Sequence, residues 1–251
     1  MRIIISPAKK MRVDTDSLSW RDLPVYLDKT RELLDILRAM EPEELKKLWK
    51  CNDSIAELNV QRLTQMDLHS RLTPALLAYE GIQYRYMAPG VFTDREFEYV
   101  QEHLRILSGF YGILKPFDGV TPYRLEMQAK LRAGDSKDLY EYWGDSLAMT
   151  LFSETECIVN LASKEYSQCI CRYLPPSVRM ITCVFGEEKN GKVLEKGTAC
   201  KMARGEMVRY LAENAVTDPE KIRSFDRLGY RFDASRSDDK MFIFINDATG
   251  G

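Results

Sequence analysis

Histidine is the scarcest reactive side chain in this sequence. Only His69 and His103 occur in 251 residues, neither in a Glu-x-x-His nor in a His-x-x-x-His spacing. That excludes most histidine-based metal centres and the carboxylate-bridged di-iron bundle, which needs two Glu-x-x-His helices. It also argues against a histidine general base, leaving Lys, Tyr or a carboxylate for any proton transfer. Long apolar runs are missing as well. Ile3 to Ile5 and Met241 to Ile245 fall far short of the roughly 18 residues of a membrane span, and no signal-peptide run follows Met1, so a cytoplasmic protein without a membrane partner is expected. The six cysteines contain no Cys-x-x-Cys pair, and the closest two, Cys169 and Cys171, suit reduced thiols within a helix better than staples or zinc ligands. An excess of positive charge is absent too: 36 basic against 38 acidic side chains leave −2, so any nucleic-acid binding must come from cations gathered locally.

What is present is the composition of a folded globular chain, 45% hydrophobic and 29% charged, at a length that buries roughly 70–75% of its unfolded surface. No repeat, low-complexity tract or linker interrupts it, so residues 1–251 are expected to form a single mixed α/β domain, with a central mixed sheet and flanking helices. Arg2-Ile-Ile-Ile-Ser6 reads as a buried strand feeding the basic loop Ser6-Pro-Ala-Lys9-Lys10. A helical subregion spans about residues 23–72. Within it, a helix starting at Pro42 and another over Asp53 to about Arg62 have the outline of a helix-hairpin-helix, although their turn lacks glycine.

Thr73-Pro74 is predicted to open a helix to about Tyr86, and Thr93-Asp-Arg-Glu96 spells a capping box. Residues 138 to about 152 read as one amphipathic helix. Cys157 to Ser163 is a second buried strand leading into a polar helix start, which repeats the logic of the first loop. The two junctions, Lys9/Lys10 and Ser163/Lys164, are expected on one sheet rim. Asn190-Gly191 predicts a hairpin between two strands, Arg179 to Phe185 and Val193 to about Ala199. The same segment spells Gly186-x-x-x-x-Gly191-Lys192, but Val193 replaces the magnesium-binding hydroxyl and a strand follows, so it is no P-loop. Lys201, Arg204 and Arg209 lie within a ~140° arc of the helix that comes next, a cationic strip suited to phosphates. The tail predicts a final hairpin, from Tyr230 and from Lys240 to Asn246.

Several of these segments together carry a resemblance: Ile5-Ser-Pro-Ala-Lys9, Leu107-Ser-Gly-Phe-Tyr-Gly-Ile-Leu-Lys-Pro116, Pro122-Tyr-Arg-Leu-Glu-Met127, Tyr142-Trp-Gly-Asp145, Val159-Asn-Leu-Ala-Ser163 and Ala203-Arg-Gly205 with Met207 and Arg209. In order and spacing the chain resembles the YaaA family of bacterial peroxide-stress proteins, from residue 2 to about 245. The resemblance implies that family's mixed α/β unit, called the cantaloupe fold, with a positively charged cleft, a helix-hairpin-helix and DNA as partner. It implies a role in limiting damage when peroxide meets iron, and no catalytic residues, metal or cofactor. The matching cations are Lys9, Arg124, Lys201, Arg204 and Arg209; Lys10 and Lys164 are added from the loop reading. Met202 stands where the family usually has a lysine. A monomer that recognises DNA backbone or structure is expected. The alternative is an enzyme acting on a nucleotide-like or phosphorylated small molecule in the same cleft, motivated by the Ser, Lys and Tyr residues of the motifs.

Overall fold

The computed structural model describes residues 1–246, so the last five residues of the expected 1–251 domain lie outside the described residues. The strands in chain order are β1 (Arg2–Ile5), β2 (Lys10–Met11), β3 (Thr73–Pro74), β4 (Tyr79–Glu80), β5 (Leu104–Ser108), β6 (Gly112–Leu114), β7 (Gly119–Val120), β8 (Cys157–Leu161), β9 (Arg179–Lys189), β10 (Lys192–Leu194), β11 (Tyr230–Phe232) and β12 (Met241–Asn246). The helices are α1 (Leu27–Arg38), α2 (Pro42–Trp49), α3 (Asp53–Gln65), α4 (Ala75–Ala78), α5 (Ile82–Met87), α6 (Asp94–His103), α7 (Leu139–Trp143), α8 (Ser146–Glu154), α9 (Lys164–Cys171) and α10 (Gly197–Glu213).

The eight-stranded sheet runs β11-β12-β9-β8-β1-β5-β6, with β10 paired to β9. Its middle, β12-β9-β8-β1-β5, is parallel, and antiparallel partners β11, β10 and β6 complete a mixed sheet. Ile3, Ile4 and Ile5 are fully buried at its centre, as expected of a continuous β-branched run covered on both faces. From β1 the chain crosses to β5 on one side, and β8 later returns to the other side of β1. This reversal leaves a crevice beyond the carboxyl ends of β1 and β8, the place where open α/β sheets hold ligands.

Two predicted helices turn out to be broken. Residues 73–86 form β3, α4, β4 and α5, because the first amides of α4 are taken by the neighbouring loop, Ala75 by the Asp118 carbonyl and Leu76 by the Pro116 carbonyl. The backbone then opens so that Tyr79 and Glu80 can pair with Met11 and Lys10. The segment 138–152 is interrupted at Gly144, whose φ of +52° and ψ of −133° suit only glycine, so α7 and α8 are separate helices. The Thr93 capping box forms as expected, with Glu96 N–H donating to Thr93 Oγ1 and Thr93 N–H to Glu96 Oε2. Asn190 and Gly191 both adopt positive φ, the type I′ turn of a two-residue hairpin, but the second strand ends at Leu194 and α10 begins by Gly197. His69 lies in a turn after α3, not in a helix as its surroundings suggest. Among the described residues no helix is long and apolar enough to cross a membrane.

The loop that starts α4 carries a buried acid. Asp118 is 4% exposed and accepts a hydrogen bond from Lys115 N–H at 2.8 Å, and burial pushes its carboxyl up to about 7, with Asp22 adding in the same direction. Because its folded pKa lies above the ordinary 3.8, the native state holds the extra proton. Its contribution is therefore intact below about pH 4 and lost as pH rises towards 7. Asp118→Asn keeps an acceptor for Lys115 and removes that loss. Urea unfolding should show the variant gaining on the parent between pH 4.5 and pH 8, by at most about 4 kcal/mol. Equal stability differences at the two pH values would contradict the assignment.

Candidate functional site

A cleft of about 400 Å³ opens at the crevice beyond β1 and β8. Ser6 and Ser163, the residues that follow these strands, meet there. Ser6 Oγ accepts the Ser163 N–H at 2.9 Å and donates to Ser163 Oγ at 3.2 Å. Ser163 is the N-cap residue of α9, but its hydroxyl faces Ser6 and does not cap the helix. The two loop junctions do adjoin on one rim.

The opposite wall comes from α5 and α10. They approach so closely that a Cβ on Gly205 would stand 2.1 Å from the Gln83 carbonyl oxygen. Gly205 of the Ala-Arg-Gly segment therefore lets Lys201 and Arg204 reach the cleft that Gln83 and Tyr84 line. Arg124 arrives from the third side. The backbone of the segment carrying it packs on Gly109, where a Cβ would lie 2.6 Å from the Leu125 carbonyl oxygen. Beneath it, Tyr123 hydroxyl bonds to Tyr79 hydroxyl at 2.9 Å and to Ser108 Oγ at 2.7 Å, and Tyr84 hydroxyl donates to the Ser6 carbonyl at 3.0 Å. Burial raises the Tyr123, Tyr84 and Tyr166 hydroxyls far above their usual range, so all three act as neutral donors and acceptors.

Five of the seven cations expected at the site line this cleft: Lys9, Lys10, Arg124, Lys201 and Arg204. Lys164 and Arg209 do not line it. Lys164 is exposed at the start of α9. Arg209 lies more than a turn beyond Arg204 along α10, where its Nε donates to Glu213 at 2.8 Å. An angular strip ignores the 1.5 Å rise per residue that separates them.

The cleft is not purely cationic. Glu80, Glu126 and Glu165 face the five cations. Lys9 Nζ lies 2.9 Å from Glu126, Lys10 Nζ 2.8 Å from Glu80, Arg124 3.6 Å from Glu126 and Arg204 3.5 Å from Glu195, whereas Lys201 has no carboxylate partner among the described residues. Burial raises the Glu165 carboxyl, with Glu126 nearby adding to the rise. These acids, and Gln83, are cleft residues that sequence reasoning missed. Glu126 sits inside the Tyr-Arg-Leu-Glu-Met segment, and Gly81 within a supposed helix was the one signal that residues 79–82 bend to meet β2.

The motif residues outside the cleft have packing roles. Trp143 is fully buried, donates from Nε1 to the Gly109 carbonyl at 3.1 Å and lies against Gly112, where a Cβ would meet its ring at 2.9 Å. Ser108 Oγ accepts the Phe110 and Tyr111 amides. Of the cysteines, Cys169, Cys183 and Cys200 are buried, whereas Cys171, expected inside the helix packing, is exposed. Burial pushes the Cys169 thiol up to about 12, Cys183 to about 12 and Cys200 to about 11, which keeps these three as slowly reacting thiols at neutral pH. Among the described residues no three His, Cys, Asp or Glu side chains gather where they could hold a metal ion.

Comparison with known sequences follows the same lines. The family model described as "Peroxide stress protein YaaA" matches residues 1–236. A UPF0246 protein of Agathobacter rectalis is 59% identical over 244 residues, 97% of this chain and 98% of the relative. Another from Lachnoclostridium phytofermentans is 54% identical over 98% of this chain and 96% of its own length, and one from Pediococcus pentosaceus 49% over 98% of both.

Proposed function

The chain belongs to the YaaA family of peroxide stress proteins, and on that footing we propose that it acts in the response to hydrogen peroxide by binding DNA through phosphate groups drawn to its cleft. The observation that carries this reading is the convergence of five cations from three separate segments on one cleft, in a chain whose net charge is −2. The carboxylates beside them do not cancel it. Lys9 and Lys10 side chains are 63% and 78% exposed, and ion pairs so exposed contribute only about 0–1 kcal/mol, so a phosphate exchanges for the carboxylate at little cost. The turn between α2 and α3 supports the same reading. Arg124 donates to the Trp49 carbonyl at 3.4 Å, which ties the carboxyl end of α2 to an arginine of the cleft, and Lys50 takes the left-handed conformation (φ +46°) that a glycine would otherwise supply. In this reading the pair serves as a helix-hairpin-helix beside the cationic wall.

Catalysis has less to recommend it. Of the Ser, Lys, Tyr and acid residues that motivate it, Ser6, Lys9, Tyr123, Ser163, Tyr166 and Lys201 line the cleft while Ser108, Tyr111 and Asp145 do not. Ser6 and Ser163 bond to each other and burial keeps the Tyr123 and Tyr166 hydroxyls neutral, so none of these four is activated as a nucleophile or base.

The test is a salt series. With four to six phosphates neutralised, log K against log salt should have a slope of about −4 to −5, at ~0.9 per contact. Lys201→Ala should reduce its magnitude by about 1, while Arg209→Ala, off the cleft, should leave it unchanged. A flat salt response of the parent protein would remove the DNA reading.

A further inference from the structure

The two arginines of the cleft have buried guanidinium Nε atoms that make no hydrogen bond to the described residues. Arg204, its side chain only 16% exposed, donates no hydrogen bond to any of them, and its one carboxylate neighbour, Glu195, stands off at 3.5 Å. Arg124, at 11%, makes a single 3.4 Å bond, to the Trp49 carbonyl. Gln83, 8% exposed, has no acceptor for its side-chain amide. Six buried side-chain polar atoms lack a partner among the described residues, and four of them belong to residues of this one cleft: Gln83, Arg124, Glu126 and Arg204. Buried donors left unbonded are destabilising, the more so when charged, and a concentration of them marks a place where something else completes the bonds.

The arrangement is graded. Lys9 and Lys10 stand exposed at the rim, and the two arginines are sunk below them. A duplex backbone is convex, so its internal phosphodiesters meet these cations from the rim of the cleft, whereas paired contact with the two arginines needs a phosphate that can enter about 400 Å³. A terminal phosphate can. It brings three free oxygens and nearly two negative charges, against two oxygens and one charge for a diester, and guanidinium groups match such oxygens in pairs. We infer that the inner cleft is a binding site for a phosphate monoester, carried by a free nucleotide or by the phosphorylated end of a DNA strand. This rests on the reading of the cleft as a phosphate-binding site and adds which phosphate it selects.

The experiment compares 3′-labelled oligonucleotides with a 5′-phosphate or a 5′-hydroxyl by anisotropy, and dAMP with deoxyadenosine as competitors. The 5′-phosphate should tighten binding about tenfold, and dAMP should compete where deoxyadenosine does not. Arg204→Gln should abolish both preferences, weaken 5′-hydroxyl binding less than 5′-phosphate binding, and leave the ligand-free melting temperature unchanged or higher, because the guanidinium Nε it removes makes no hydrogen bond among the described residues. A melting temperature lowered by the substitution, with the phosphate preference retained, would make Arg204 structural and overturn the inference. Salt-dependent DNA binding indifferent to the end group and to dAMP would also overturn it while leaving the DNA reading intact. Competition for bound dAMP by phosphate esters, with no binding of either oligonucleotide, would uphold it for free nucleotides and sink the DNA reading.

Discussion

Gly205→Ala should destabilise the protein by about 3 kcal/mol or more and abolish ligand binding with it. A methyl group at this position would stand 2.1 Å from the Gln83 carbonyl oxygen and 3.0 Å from the Met87 amide nitrogen, both backbone atoms of α5. Overpacking against a side chain costs about 1–3 kcal/mol because the side chain can rotate away. Here relief requires α5 to move as a unit, and α5 carries Gln83 and Tyr84 of the cleft wall. At this chain length about 3 kcal/mol lowers the melting temperature by roughly 6–12 °C. Calorimetry and the salt-dependent binding assay on the same preparation check both halves. A variant that melts like the parent would mean that α5 and α10 are not seated as described.

Trp143→Ala should cost about 4 kcal/mol, the range for an aromatic side chain removed from a core. The indole is fully buried, contacts Tyr26 and Tyr142 edge-on at ring-centroid distances of 5.7 and 5.3 Å, and holds the Gly109 carbonyl through Nε1. Trp143→Phe should lose less, since it keeps most of the packing and forfeits the hydrogen bond. Neither should alter the slope of the salt series in protein that remains folded, because Trp143 does not line the cleft. A folded Trp143→Phe variant with a changed slope would show that the Trp-Gly-Asp segment acts on the ligand directly.

The local features were legible in the sequence because each is decided by neighbours along the chain. Ile3 to Ile5 could only be a central strand, Asn190-Gly191 only a tight turn, and Thr93 with Glu96 an N-terminal cap. The misread segments are those whose hydrogen bonds go elsewhere. Residues 73–86 have helical periodicity, but the Pro116 and Asp118 carbonyls claim the first amides and β2 claims Tyr79 and Glu80.

The candidate site divides in the same way. Lys9, Arg124, Lys201 and Arg204 stand out from spacing and motif, and the ends of β1 and β8 could be foreseen as one rim. The sequence by itself determined the mixed α/β class, the membership implied by its ordered motifs and the residue types able to meet a phosphate. Only the tertiary structure decided that Arg209 points away while Glu80, Glu126 and Glu165 come in, and that the half-buried Arg204 makes no hydrogen bond among the described residues. Charge and periodicity are properties of a chain read in one dimension. Which carboxylate faces which cation, and which donor is cut off from water, depends on contacts between segments a hundred residues apart, and no local pattern encodes them.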